Sequence, residues 1–278
     1  MKVVTGTLTL AMALLCLFSS GCGEGDAPAG GYAIAVTNSY LESAVRDLWG
    51  QDGAILCLAP PGMCPGHFDI SPAQVRQLKS CSLLLRFDFQ QGVEDRLARL
   101  REGGLDVQQV QPQGGLCVPD TYLASCRQVC QILSRSYPDR TAEFETRLAA
   151  VESRLAALAA QLHASVAQSG VADAAVLCSN HQAGFARWLG LDPIATFVGS
   201  DSETVANIDH CLRQTAGREV RFVIANRQEG TALALALADR CRAKAVVFGN
   251  FPEDCGQGAG FDRLLQDNVR LLCEAASR

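Results

Sequence analysis

Aromatic residues are few in this 278-residue chain, only 6% with two tryptophans and four tyrosines, so no stacking platform for bases or sugars is on display. Charge is sparse as well: 19% of residues are charged, the net charge is −5, and no basic run occurs. Nucleic acid needs a positive footprint, so that class of partner is set aside. There is no Cys-x-x-Cys pair, which disfavours a thioredoxin-like redox centre or a ribbon-type zinc site. Gly-x-Ser-x-Gly, His-Glu-x-x-His and a glycine-rich phosphate loop are all missing, and no Ser/His/Asp set stands out. Histidine occurs only at His67, His163, His181 and His210. Beyond the first two dozen residues, no apolar stretch is long enough to cross a bilayer.

What is present begins with an export pattern. Met1-Lys2 is a positive start, Val3 to Phe18 is almost wholly apolar, and Ser19-Ser20-Gly21-Cys22 closes with small residues. A run this short reads as a cleaved leader rather than a membrane span. A cysteine directly after Ser-Ser-Gly resembles the bacterial lipobox, with Ser19 where a leucine is usual; that resemblance implies a lipid on Cys22 that tethers the protein to a membrane. The other reading is a plain secretory leader, and both place the folded part outside the cytoplasm. Gly23 to Gly31 is small, flexible and aperiodic, as a tether would be. The chain therefore divides into a leader at 1–22, a tether at 23–31, an N-terminal α/β lobe at 32–136, a linking helix at 137–169 and a C-terminal α/β lobe at 170–278. A 48% apolar content is ample for burying two such cores.

Thirteen cysteines are many. Setting aside Cys16 and Cys22 leaves eleven, an odd number, so at least one stays unpaired within a monomer. Outside the cytoplasm the default is disulfides. Cys57 and Cys64, flanking a Pro-rich turn, are the easiest pair to picture; Cys81, Cys178 and Cys273 sit in apolar runs, where a free thiol is a small hydrophobe.

Apolar strand-like runs alternate with helical patterns throughout. Ala33–Val36, Ala54–Leu58, Cys81–Phe87 and Val107–Val110 read as strands in the first half. Ala174–Leu177, Ile194–Phe197, Val220–Ala225 and Ala245–Phe248 do so in the second. Helices are predicted over Ser39–Trp49, from Ser71-Pro72, over Gly92–Arg101 and Pro119–Leu133, and over Thr204–Thr215 and Phe261–Ala276. Ser71, Pro72 and Gln74 form a capping signature: acceptor, proline at the first helical position, glutamine three residues on. Buried strands alternating with helices argue for mainly parallel sheets covered on both faces, and two such sets argue for an α/β protein of two lobes.

Between the sets, Phe144, Leu148, Val151, Leu155, Leu158, Leu162 and Val166 are spaced 4, 3, 4, 3, 4 and 4, a single apolar stripe on one helix. From Pro138 to Gln168 it would run roughly 45 Å, with Gly170 as its stop. A coiled-coil dimer is the alternative; the flanking α/β sets favour an intramolecular spine in a monomer, leaving one cleft between the lobes.

His163 and His210 fall on helices and read as solvated. His67 and His181 fall on loops after strands, where ligands of open α/β sheets bind. One imidazole from each lobe suits a metal ion held across the cleft.

Pro60-Pro61-Gly62 through His67 to Ser71-Pro72 resembles the first metal motif of the zinc/manganese-type solute-binding proteins of ABC transporters. Pro119-Asp120-Thr121-Tyr122-Leu123 looks like their Pro-His-x-Trp-Leu segment. His181 with Phe185-Ala186-Arg187-Trp188-Leu189-Gly190-Leu191 is similar to their third motif. Ala225-Asn226-Arg227-Gln228 resembles a segment usually reading Ala-Glu-Pro-Gln, and Phe248-Gly249-Asn250 falls where the final aspartate stands. The resemblance covers the mature chain. It implies a non-catalytic, lipid-anchored receptor that captures a divalent ion of the zinc or manganese class and delivers it to an ABC permease. The ligands it implies are His67, Asp120, His181 and Asn250. The departures are plain: His67 sits one residue late, Asp120 stands for a histidine, Asn250 stands for an aspartate, and the His-rich loop of zinc-specific members is missing. Pro119-Asp120 equally suits a helix start, and Asn250 equally suits packing. Cys64, Cys117 or Cys178 would serve as a soft ligand or in a disulfide. Two further readings remain: a bilobal receptor for a metal chelate or corrinoid, and an exported metal-dependent hydrolase with Asp69 or Asp120 as base.

Overall fold

The computed structural model describes residues 33–51, 53–59, 70–91, 97–199, 204–253 and 260–277. Two four-stranded sheets, each wholly parallel, form its two lobes. The first contains β1 (Ile34–Val36), β2 (Ile55–Cys57), β3 (Leu83–Phe87) and β4 (Asp106–Val110), in the order β2-β1-β3-β4. The second contains β5 (Ala175–Ser179), β6 (Asp192–Phe197), β7 (Phe222–Asn226) and β8 (Lys244–Phe248), in the order β6-β5-β7-β8. The strand order reverses between β1 and β3 in one sheet and between β5 and β7 in the other. Such switch points open a crevice at the carboxyl ends of the strands.

Continuous apolar runs are what strands buried on both faces require. Ile34, Val36, Leu83, Leu85 and Phe87 face an inner core, while Ala35 and Leu84 face an outer one. In the second lobe Val176, Cys178, Phe222 and Ile224 face inward, and Leu177, Val223 and Ala225 outward. The inner core is shared by both lobes.

The helices are α1 (Ser39–Trp49), α2 (Pro72–Leu78), α3 (Ala98–Glu102), α4 (Pro119–Ser136), α5 (Thr141–Gln168), α6 (Ala183–Trp188), α7 (Val205–Gln214), α8 (Ala232–Cys241) and α9 (Gly260–Ser277). The α2 capping box forms as the sequence predicts: Gln74 N–H donates to Ser71 Oγ at 3.2 Å and Ser71 N–H to Gln74 Oε1 at 2.9 Å. The helix expected over Gly92–Arg101 is described only at Ala98–Glu102, its earlier part lying among residues that are not described. No described helix is long and apolar enough to cross a membrane.

The spine is α5, preceded by a 3-10 turn at Pro138–Arg140 and ended at Gly170, whose φ of 64° suits glycine. Six members of the predicted stripe are buried along it, and Leu148 packs at the edge. Each buried Leu or Val contributes roughly 1.5–3 kcal/mol relative to exposure, so the stripe alone ties α5 firmly to α4, α1 and α9.

A second tie comes from α9, the last helix. Phe261 stacks on Tyr122 of α4 with centroids 3.8 Å apart, and Tyr40 of α1 meets both rings edge-on. Arg154 of the spine grips Asp47 of α1 through two hydrogen bonds of 2.9 and 2.6 Å, and its Nε lies 3.1 Å from Asp262 Oδ2 of α9. Tyr122 Oη donates to the same Asp47 at 2.8 Å. Burial pushes the Asp262 carboxyl above its ordinary 3.8, with Arg154 pulling the other way. One cation thus spans both lobes where the cost of burying charge is offset by paired partners.

One expectation changes on the fold, for the described cysteines. No disulfide joins any two described cysteines. Cys117, in the turn before α4, Cys126 in α4 and Cys178 in β5 are buried as free thiols; burial raises all three, Cys178 to about 12. Cys64 lies outside the described residues. His163, read as solvated, is exposed on the spine as expected, with Nε2 2.9 Å from Trp188 O and its ring against the indole.

Candidate metal site

The lobes meet tightly beside their sheet ends. Gly115, on the loop before α4, and Gly184, at the start of α6, approach so closely that a Cβ on Gly184 would stand 3.3 Å from Gly115 Cα. Glycine at both positions is what permits this backbone contact. Next to it a neutral polar cluster bridges the seam. Cys117 Sγ donates to Gly249 O at 3.2 Å and to Asn250 Oδ1 at 3.4 Å. Gln182 Nε2 reaches Asn226 Oδ1, Gly249 O and Asn250 Oδ1 at 3.3–3.4 Å. Asn268 clamps Gly249 from behind, accepting its N–H at 2.8 Å and donating to its carbonyl at 3.0 Å. Asn250 N–H donates to Gln228 Oε1 at 2.9 Å.

His181 lies in the 3-10 turn Asn180–Gln182 that follows β5, and Glu229 in the turn Arg227–Glu229 that follows β7. The two strands are neighbours in the sheet, so these side chains meet over the switch point. His181 Nε2 is 3.4 Å from Glu229 Oε1, the imidazole 56% exposed and the carboxylate 18%. Ser179 Oγ, at the end of β5, donates to Glu229 Oε2 at 2.5 Å and accepts from His181 N–H at 3.3 Å.

The remaining predicted ligands are scattered differently. Asp120 is exposed in the first turn of α4, where its charge also suits the helix N-terminus. Asn250 is 3% exposed and engaged in the seam. Cys117 and Cys178 are buried, and burial keeps both thiols protonated at neutral pH. His67, Cys64, Asp69 and Cys22 lie outside the described residues. Among the described residues, no group of three or more His, Cys, Asp or Glu side chains is arranged to hold an ion. Glu229 and Ser179 are the site residues that sequence reading passes over; the sole signal is that the Ala225–Gln228 motif ends one residue before Glu229. A hollow of about 530 Å³ bordered by Ala175, Arg218 and Arg221 sits at the opposite, amino-terminal end of the second sheet, away from this chemistry.

Two parallel-sheet lobes on one long helix, meeting at a polar seam beside the strand ends, define a bilobal α/β architecture. The family model described as zinc-uptake complex component A, periplasmic (ZnuA), matches residues 117–275, more than half of the chain. The chain belongs to that family of metal-binding, solute-binding components of ABC transporters, whose place is outside the cytoplasm. Similar solved structures include a zinc-bound ZnuA deletion mutant, with 16% identity, TM-score 0.70, and coverage of 89% of this chain and 99% of that one. A Mn-bound periplasmic metal-binding protein from Candidatus Liberibacter asiaticus is 12% identical, with TM-score 0.74 and coverage of 88% and 99%. The periplasmic zinc-binding protein TroA from Treponema pallidum is 16% identical, with TM-score 0.70 and coverage of 89% and 100%. No curated protein matches the sequence.

Proposed function

We propose that this protein captures a divalent ion of the zinc or manganese class at the seam between its lobes, holds it without chemical change, and delivers it to an ABC permease. The observation that carries this reading is the exposed His181 imidazole over the β5/β7 switch point, immediately beside the lobe seam. The lobes are taken as 32–136 and 170–278, joined by 137–169, with a lipid on Cys22 holding a monomer at the membrane. His67 supplies the imidazole from the first lobe and Asp120 an oxygen donor, while Asn250 lies buried at the edge of the site within the seam. Imidazole with oxygen donors suits ions at the zinc–manganese border better than strongly thiophilic ones. The backbone contact between Gly115 and Gly184 leaves little room for a corrinoid, which favours a bare ion.

Elemental analysis of the purified protein tests this. One equivalent of zinc or manganese is expected, lost in a variant carrying His67→Ala and His181→Ala. Absence of any bound cation after metal loading, or full retention by the double variant, overturns the reading.

A further inference from the structure

We infer that Glu229 is the oxygen ligand of the second lobe, partnering His181 on the ion in place of Asn250. This rests on the metal-receptor reading and sharpens its ligand set. The separation between His181 Nε2 and Glu229 Oε1, 3.4 Å, is longer than the roughly 2.7–3.2 Å of an N–H···O hydrogen bond. It matches the spacing of two donors on one tetrahedral ion: metal–nitrogen and metal–oxygen bonds of about 2.0–2.2 Å set adjacent ligand atoms about 3.4 Å apart.

The surroundings orient the pair. Ser179 Oγ occupies Glu229 Oε2 at 2.5 Å, which orients the carboxylate and leaves Oε1 toward the imidazole. Outer hydrogen bonds of this kind commonly fix ligand carboxylates. Glu229 also packs against Gly199, where an added Cβ would stand 3.0 Å from the Glu229 Cβ and carbonyl oxygen. The strand-end position shared with His181 is where open parallel sheets bind ligands.

Asn250, by contrast, is committed elsewhere. Its Oδ1 accepts from Cys117 and Gln182, its N–H donates to Gln228, and it is 3% exposed. An amide also carries no charge to offset that of a divalent ion. The negative charge missing at 250 is supplied at 229, from the neighbouring strand end.

The test titrates the purified protein and its Glu229→Gln and Ser179→Ala variants with Zn²⁺ or Mn²⁺ against a chromogenic chelator. Thermal melts check the fold, and X-ray absorption of the zinc-loaded forms counts oxygen and nitrogen neighbours. Glu229→Gln is expected to weaken binding about 10–100-fold and change the neighbour shell, and Ser179→Ala to weaken it about 10-fold. Should the glutamine variant fold poorly, Ser179→Ala carries the test. Unchanged affinity in the variants, with the unmodified protein binding normally, overturns the role of Glu229 and leaves the receptor reading standing. Failure of the unmodified protein to bind either ion overturns both.

Discussion

The two sheets have the same strand order, yet their switch points are built in opposite ways. Between β1 and β3 the described polar side chains bond to one another. Thr37 Oγ1 donates to Gln90 Oε1 at 2.7 Å, Phe87 N–H donates to the same oxygen at 2.9 Å, and Asn38 caps α1 through Leu41 N–H. All of these polar side chains are buried and neutral. Between β5 and β7 the corresponding place holds a histidine and a carboxylate that reach solvent. One topology therefore yields, among the described residues, a self-satisfied corner in one lobe and an imidazole–carboxylate pair that reaches solvent in the other. Fold supplies the crevice; the residues at the strand ends decide whether it binds anything.

Removing the tie common to both lobes should have the largest effect. Phe261→Ala takes away the ring stacked on Tyr122 and is expected to cost about 3–5 kcal/mol of stability, read from urea unfolding. A loss near zero would mean the lobes are joined mainly by the spine. His181→Ala should weaken Zn²⁺ binding about 100-fold with little change in unfolding midpoint, because its imidazole is largely exposed. Thr37→Val should do the reverse. Its lost buried hydrogen bond costs about 1–2 kcal/mol while ion affinity stays within about twofold; equal effects on binding from the two changes would erase the contrast between the ends.

The smallest effect concerns Asp262. Its folded-state carboxyl is raised above the ordinary 3.8, so the folded chain keeps a proton that the unfolded chain has lost. The contribution of this group to stability therefore declines as pH rises from about 3.8 through the raised value. Asp262→Asn should flatten that part of the profile, measured as urea midpoints across acid to neutral pH.

Much of the architecture could be read directly from local pattern. The 4-3 spacing from Phe144 to Val166 is the buried stripe of α5, and Ser71-Pro72-Ala73-Gln74 is the capped start of α2. Helix α1 begins and ends where periodicity says, Ser39 to Trp49. These succeed because hydrogen bonds and neighbours three or four residues apart write themselves into short windows. The placement of His181 in a turn after a strand was legible too, from its position behind an apolar run. Glu229 was not: fifty residues separate it from Ser179, and only the adjacency of β5 and β7 brings them together. Asn250 reads as a ligand by position but turns into the seam to meet Cys117, 133 residues away. The cysteines invited disulfides because of number and compartment; their burial as separate thiols in the described core depends on packing that no spacing encodes.

Sequence alone was sufficient for the alternation of strands and helices, the spine and the turn that carries His181, since each is governed by periodicity or capping within a few turns of chain. Tertiary structure decided which strand ends lie side by side, that Arg154 would link α1 to α9, and that a carboxylate would stand by His181. The reason is physical: those outcomes depend on parallel pairing and shared burial between segments far apart in the chain, where the free energy resides in contacts that exist only once the lobes have closed on their common core.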